Sequence, residues 1–210
     1  EHLLTLQTMP NLASALWRHS ALAEARSLMK QAEAGYRALG SDGEDGLGLV
    51  LANLAAMQIA ESHLDGAESS LEEALALQTK HLGDDHPLVA VTLAKLAVLH
   101  HALHREAEAR GYWEHVLRIR RAPQASPRDL AEALYGYGVF LSDVGEHVQA
   151  AQLVEEAIAL HRSQELGDPA GLGRAEYVLG NCLSRNGNRE AARGHLEEAA
   201  RLLDASPGAT

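Results

Sequence analysis

An alanine recurs through the whole chain at an almost constant interval, and this period restricts the fold more than any other feature of the sequence. The alanines are Ala25, Ala67, Ala109, Ala150 and Ala192, and the steps between them are 42, 42, 41 and 42 residues. A near-constant period of this length is typical of solenoids, in which each repeat buries its apolar face against its neighbours. The 210 residues therefore hold five repeats.

The residues around each alanine also recur, and they indicate two helices per repeat. A small residue lies twelve positions before the alanine, a large apolar residue four positions after it, and a small or medium residue three positions further on. Spacings of three, four and seven place side chains on one helical face, and small residues opposite large ones let two helices approach closely. The three sets are Ala13, Ala55, Ala97, Gly138 and Gly180; Met29, Leu71, Trp113, Val154 and Leu196; and Ala32, Ala74, Val116, Ala157 and Ala199.

These positions resemble the tetratricopeptide repeat family, which has a small residue in its first helix and alanine, large apolar and alanine positions in its second. The long period and the segment LGDDHPLVA at 82–90 are similar to repeats of the kinesin-light-chain type, in which an LG-x-DHP-x-VA link joins neighbouring repeats. The resemblance covers the whole chain. It implies an all-α fold, a right-handed α-solenoid of five helix-turn-helix repeats with about ten helices.

We expect a single solenoid domain over residues 1–210, with repeats at approximately 6–46, 47–86, 87–126, 127–168 and 169–204 and a frayed tail at 205–210. The first helix is expected to begin near Met9, because Pro10 fits best in the first turn of a helix. Asp84 or Asp85 is expected to cap the first helix of the third repeat, and Ser126 that of the fourth.

Net charge narrows the classes of partner, and cysteine content indicates the compartment. The formal net charge is −11 at pH 7, which disfavours binding to nucleic acid and to anionic membrane surfaces. No apolar run reaches the length of a membrane span. The single cysteine, Cys182, excludes an internal disulfide and fits a reducing compartment, so we expect a cytoplasmic protein.

Histidine is abundant, with twelve residues, but no pattern indicates a catalytic or metal site. His100 and His104 share a helical face at a four-residue spacing that two metal ligands could use, with His101 between them. No further ligand lies at a fixed offset, so a structural role is favoured for this cluster over metal binding. No serine, cysteine or paired-carboxylate arrangement indicates an active site. We therefore expect a non-enzymatic chain without metal or cofactor.

In the resembled family, the first helix of every repeat lines a concave groove that holds an extended peptide or a partner's helix. Mapping by the period places the candidate peptide-binding residues at Trp17, Arg18, Ile59, His101, Glu132, Tyr135, Val139, Arg174, Tyr177 and Asn181. The Lys and Asn positions of chaperone-binding members hold Pro10, Ser14, Ala52, Ala56, Ala94 and Val98, which argues against a chaperone tail as the ligand.

The strongest anchors are expected in the last two repeats. Tyr135 and Tyr177 occupy equivalent positions one period apart and should stand side by side on neighbouring first helices. Arg174 can meet a carboxylate of a ligand, or pair with Glu132 when the groove is empty. Asn181 can bond to both a backbone N–H and a C=O of a bound chain. The kinesin-light-chain type binds peptides with aromatic and acidic residues, and the resemblance implies such a ligand here.

We interpret the chain as a non-enzymatic protein- or peptide-binding scaffold. The alternative is a regulatory or sensor tetratricopeptide module excised from a larger multidomain enzyme or transcriptional regulator. No later helix follows to cover the apolar residues of the C-terminal helix, which predicts that this end either forms a homodimer or results from truncation. These apolar residues are Leu196, Ala199, Ala200, Leu202 and Leu203.

Overall fold

The computed structural model describes residues 2–163 and 167–205, and this part of the chain contains ten α-helices, one short 3₁₀-helix and no strand. The helices are α1 (His2–Arg18), α2 (Leu22–Ala38), α3 (Glu44–Ala60), α4 (Leu64–Leu82), α5 (Pro87–Ala102), α6 (Glu106–Arg120), α7 (Pro127–Asp143), α8 (His147–Arg162), α9 (Pro169–Arg185) and α10 (Arg189–Asp204), with the 3₁₀-helix at Gly40–Gly43. They follow one another as one helix pair per repeat, which confirms the predicted all-α repeat solenoid. The predicted tail after residue 205 lies outside the described residues.

A histidine caps α5 in the link between the second and third repeats. The Nδ1 atom of His86 accepts a hydrogen bond from the backbone N–H of Leu88 at 3.1 Å. The prediction that Asp84 or Asp85 caps this helix is therefore wrong, because the imidazole takes the acceptor role of a capping carboxylate. Pro87 follows in the first turn, where its missing N–H costs nothing. Capping side chains also stand before α7 (Ser126, as predicted), α9 (Asp168) and α10 (Asn188).

The first helix begins well before Pro10, so the predicted start near Met9 is wrong. Pro10 lies inside α1. Leu6, one turn earlier, is buried in the apolar core, and Gly35 on α2 leaves space for its side chain. Burial of Leu6 favours helix before the proline and outweighs the one hydrogen bond that proline cannot donate. The hydroxyl of Ser14 donates to the carbonyl oxygen of Pro10 at 2.8 Å, one turn earlier in α1.

In the turn inside each helix pair, the residue at one recurring position has the left-handed backbone conformation. The φ angles are +63° at Ser20, +62° at Ser62, +59° at His104, +88° at Gly145 and +85° at Gly187. These positions follow the period of the alanines, so the same turn reverses the chain in all five repeats. Only the last two repeats use glycine, the residue that adopts this conformation at no steric cost.

The recurring small residues lie where helices cross. Ala25, Ala67, Ala109 and Ala150 are fully buried, and Ala192 is 3% exposed. In the last two repeats the small residue of the first helix is a glycine. A methyl group there would come within 2.5 Å of Val154 at position 138, and within 2.7 Å of Leu196 at position 180. The predicted register of small against large residues is therefore confirmed in the fourth and fifth repeats.

Enlarging a crossing alanine should destabilise the fold. We expect Ala109→Leu to lower the free energy of unfolding by about 1–3 kcal/mol, because this alanine is fully buried and a larger side chain would overpack its surroundings. Ala76→Leu, on the exposed side of α4, is the matched control and should change it by less than about 0.5 kcal/mol. Urea denaturation followed by circular dichroism measures both. Equal losses in the two variants would contradict the register.

The chain forms two compact units, Glu1–Tyr112 (unit 1) and Trp113–Thr210 (unit 2), with the boundary inside α6. The core of unit 1 is built from buried residues of α1 to α5, among them Met29, Leu71 and Leu96. In unit 2, Trp113 stacks on Tyr137 with ring centroids 6.1 Å apart, and Tyr137 stacks on Phe140 at 6.0 Å. Each unit thus has its own apolar interior and presents its own candidate binding face.

Candidate peptide-binding site

In unit 2, six predicted site residues lie along one face of each of two neighbouring first helices. We call them the tyrosine face; they are Glu132, Tyr135 and Val139 on α7, and Arg174, Tyr177 and Asn181 on α9. The two helices contact each other. Spacings of three, four and seven residues keep each set on one helical face.

The tyrosine face presents an exposed aromatic side chain. Tyr177 is 54% exposed, although large apolar side chains of the same helix, such as Leu179, are buried. Tyr135 is more enclosed, and burial raises the pKa of its hydroxyl, while the nearby positive charge of Arg174 lowers it. The tyrosine face therefore combines an exposed tyrosine with a more enclosed one.

The charged residues of the tyrosine face are not paired with each other. No ion pair joins Glu132 to Arg174 in the described part of the chain, so their predicted pairing is wrong. Both charges instead affect the pKa of His161, at the end of α8. Burial lowers the pKa of this histidine, with Asp168 opposing the shift and Arg174 adding to it. Arg174 itself is exposed, which leaves its guanidinium accessible to a carboxylate from outside.

In unit 1, the predicted site residues are largely used by the fold. Trp17 and Ile59 are half-buried and pack against the core. The Nδ1 atom of His101 lies 2.8 Å from Oε2 of Glu106, across the turn that follows α5. Arg18 belongs to α1, but its side chain lies outside the described part of the structure. These residues therefore offer fewer accessible groups than the tyrosine face.

Unit 1 instead presents a face that includes Val98, one of the groove positions named from the sequence, together with residues that were not predicted from the sequence. Leu49 and Asn53 on α3, and Val91, Lys95 and Val98 on α5, form what we call the lysine face. The Lys95 ammonium donates a long hydrogen bond to Oδ1 of Asn53, at 3.5 Å. Asn53 and Lys95 are one period apart, a signal that could have revealed this contact in the sequence. The three aliphatic residues of the face are 38–48% exposed.

The histidine cluster is dispersed into separate contacts. His100 is buried, with Nδ1 at 2.6 Å from Oε2 of Glu108 and its ring edge against Tyr112. His104 occupies the left-handed turn position. No group of three histidine, cysteine or carboxylate side chains in the described residues is arranged to hold a metal ion. No helix within the described residues is both long and apolar enough to span a membrane.

The last helix is less exposed than its sequence suggests. Ala199 and Leu202 are buried, so for these residues the prediction of an uncovered apolar surface is wrong. Gly173 on α9 explains the difference, because its missing side chain lets Leu202 and Leu203 pack closely against α9. Of the predicted apolar set, Ala200 is exposed, and Leu196 and Leu203 are half-buried. Association of two chains through this helix stays a prediction.

A buried carboxylate in α9 also departs from the repeat pattern. Glu176 is fully buried, at a position where the other four repeats have Met9, Leu51, Leu93 and Leu134. One of its oxygens lies 2.6 Å from the Arg162 guanidinium on α8, and the other lies 2.6 Å from Nδ1 of His195 on α10. The carboxylate thus connects three helices of unit 2.

A family described as tetratricopeptide repeat matches residues 47–122 and 129–205 of this chain. A curated relative, Protein KINESIN LIGHT CHAIN-RELATED 1 from Arabidopsis thaliana, is 27% identical over 144 residues. The match covers 68% of this chain, which spans only 24% of the relative's length.

Two solved structures show the same fold. BtubC (BKLC) from P. vanneervenii has a TM-score of 0.81 and 21% identity, covering 95% of this chain and 80% of its own. A putative kinesin light chain from Podosopora anserina, with nearly identical TPR-like repeats, has a TM-score of 0.72 and 20% identity, covering 96% of each chain. The likeness is one of repeat architecture over nearly the whole chain.

Proposed function

Because this chain belongs to the tetratricopeptide repeat family, with repeats of the kinesin-light-chain type, we propose that it is a non-enzymatic scaffold that binds a peptide segment of a protein partner on the tyrosine face. The supporting observation is Tyr177, a large aromatic side chain held 54% exposed at the centre of that face. Aromatic and arginine side chains are the usual anchors of protein interfaces.

The neighbours of Tyr177 supply the polar contacts that an extended peptide needs. Asn181 lies one turn further along α9, and its amide can donate to a peptide C=O and accept from a peptide N–H. Arg174 lies one turn earlier and can form a charge-assisted hydrogen bond to an acidic side chain. A ligand with one aromatic and one acidic residue, a few positions apart, therefore matches the face.

Substitutions on the tyrosine face should weaken peptide binding without unfolding the protein. The probes are 12-residue peptides selected on the immobilised protein from a random display library. Tyr177→Ala and Asn181→Ala are each expected to cost about 1–3 kcal/mol of binding free energy. Arg174→Glu should weaken acidic peptides most, and less so at high salt, because salt screens exposed charges. Calorimetry measures the affinities, and circular dichroism checks the fold.

Gln152→Ala is the matched control, because Gln152 is an exposed amide on α8, away from the tyrosine face. It should leave the affinity unchanged. Selected peptides that bind all three site variants as tightly as the unsubstituted protein would remove the tyrosine face as the site. A library that yields no binding peptide would argue against peptide recognition itself.

The second candidate is a regulatory or sensor module within a larger enzyme or transcriptional regulator. Both candidates use the same face and differ in what ligand binding changes. A scaffold only recruits its partner, whereas a regulatory module changes the activity of a covalently attached domain when the selected peptide is added.

A further inference from the structure

Lys95 lies on an open aliphatic face of unit 1. It follows Val91 by one turn of α5 and precedes Val98 by another, so the three share one side of the helix. Val91 is 38% exposed and Val98 48% exposed, which shows that this side of α5 is open. The lysine side chain itself is half-buried between α5 and α3, where its ammonium reaches Asn53 at 3.5 Å.

The ammonium of Lys95 lacks the carboxylate counter-ion that four other cations of unit 1 have. In the described part of the chain, no ion pair joins Lys95 to a carboxylate, and its one hydrogen bond is long. An amide oxygen carries no net charge and offsets little of the cost of burying an ammonium. Carboxylate partners are found for Arg26 (Glu61), Arg37 (Glu73), Lys80 (Glu44) and Arg105 (Glu68).

Burial lowers the pKa of Lys95 to about 8, and no charged group of another helix contributes to the shift. Burial therefore makes the charged form of Lys95 less favourable than that of a lysine in water. A carboxylate placed beside the ammonium would restore the ordinary pKa, because an opposite charge favours the charged form. A carboxylate from a ligand would therefore give the Lys95 ammonium the counter-ion that the described residues do not supply.

We propose that the lysine face is a second recognition subsite, which binds an acidic side chain flanked by aliphatic residues in a bound peptide. The acid meets the Lys95 ammonium, and the flanking residues cover Leu49, Val91 and Val98. The inference rests on the proposed peptide-binding function but uses different residues from the tyrosine face. It adds to that function a defined ligand chemistry. The lysine face would bind acidic and aliphatic side chains of the ligand, and the tyrosine face would bind acidic and aromatic ones.

The proposal predicts a pH dependence of binding with a definite sign. Below pH 8 the free lysine is already charged, and affinity for an acidic peptide should be constant. Above pH 8 binding requires proton uptake, so the affinity should fall by up to about tenfold per pH unit until the pKa of the complex is reached. The free protein behaves in the opposite way. Its stability should rise between about pH 8 and the ordinary lysine pKa near 10.5, because the unfolded chain binds the proton more tightly.

A pair of peptides that differ in one charge tests the subsite. The probes are acetyl-Leu-Val-Glu-Val-Leu-amide and its counterpart with glutamine in place of glutamate. At pH 7 the glutamate peptide should bind about tenfold more tightly. The chain has three lysines, Lys30, Lys80 and Lys95, so NMR of ¹³C-labelled lysine resolves the titration of each. The glutamate peptide should raise the pKa of Lys95 and leave that of Lys30 unchanged.

Lys95→Met removes the charge but retains an unbranched apolar side chain, and Lys30→Met on the exposed side of α2 is the control. Lys95→Met should abolish the preference for glutamate and raise the melting temperature of the free protein, because a buried unpaired charge is lost. Lys30→Met should change neither. A melting temperature above that of the unsubstituted protein would also show that the Lys95→Met variant is folded.

Three results would overturn the subsite. The first is equal binding of the two peptides, and the second is no binding of either. The third is a glutamate preference that survives Lys95→Met and disappears in Arg174→Glu, which would place the acid on the tyrosine face. The proposed function is judged separately, by the library-selected peptides and Tyr177→Ala, so it can stand when the lysine subsite fails.

Discussion

Replacing Glu176 with alanine is expected to lower the free energy of unfolding by about 3 kcal/mol. Glu176 is fully buried and binds Arg162 and His195 through separate oxygens, each at 2.6 Å. Alanine leaves a cavity in place of the carboxylate and breaks both charge-assisted hydrogen bonds. The side chains of Arg162 and His195 are 57% and 33% exposed, so water can solvate them and the loss stays below that of an uncompensated buried charge.

Glu176→Leu is the matched variant, and its expected outcome has the opposite direction. Leucine occupies the equivalent position in the second, third and fourth repeats, where Leu51, Leu93 and Leu134 are buried. Exchanging a buried ion pair for a well-packed apolar residue is often neutral or stabilising. We expect the leucine variant to unfold at a urea concentration equal to or higher than that of the unsubstituted protein. A loss as large as that of the alanine variant would show that the charge, rather than the filled volume, holds α8, α9 and α10 together.

Gly46→Ala should destabilise unit 1 by about 3 kcal/mol, at the upper end of the usual cost of overpacking. A methyl group at position 46 would overlap Cε1 and Cζ of the Tyr36 ring and lie 2.8 Å from Cδ1. Tyr36 is 4% exposed, so its ring has no free space to enter. Relief requires either a shift of α3 away from α2 or rotation of the ring into other core side chains.

Two comparisons isolate this steric cause. Gly111→Ala, on the exposed side of α6 with no atom within 4 Å of the added methyl group, should instead stabilise the helix by about 0.5–1 kcal/mol. In the double variant Gly46→Ala with Tyr36→Leu, the smaller side chain makes room for the methyl group. Its loss should therefore be at least about 1 kcal/mol less than the sum of the two single losses. Additive losses would mean that the ring and the glycine do not constrain each other.

The period of the sequence is sufficient to predict the helices and the core, because the same packing position recurs in every repeat. Ala109 and Gly138, for example, could be assigned to helix crossings from spacing alone. Pro10 misled the prediction for α1, since a local rule about proline was outweighed by the burial of Leu6. His86 took over the capping role because a ring nitrogen can accept the same hydrogen bond as a carboxylate.

The candidate site was only partly predictable, because the residues of a binding surface differ in type between equivalent positions of the repeats. The period assigns Tyr177 to the groove, and the structure shows its side chain to be exposed. Lys95 was missed, because its position lies outside the groove positions transferred from the resembled family and its isolation among aliphatic side chains becomes visible only in three dimensions. Glu176 was missed for a related reason, as burial of a charged residue is invisible to a pattern that counts only apolar positions.

Within each unit, helices contact helices about one repeat earlier in the chain, as in the hydrogen bond between Lys95 and Asn53, 42 residues apart. Folding therefore closes only short loops, and chains with such local contacts fold quickly. The order of synthesis matches the order of contacts. Once a repeat has left the ribosome, the preceding repeat on which it packs has already emerged, so assembly can proceed from the N-terminus during translation. A growing chain of this kind exposes the apolar surface of about one repeat at a time, which limits the period in which it can aggregate.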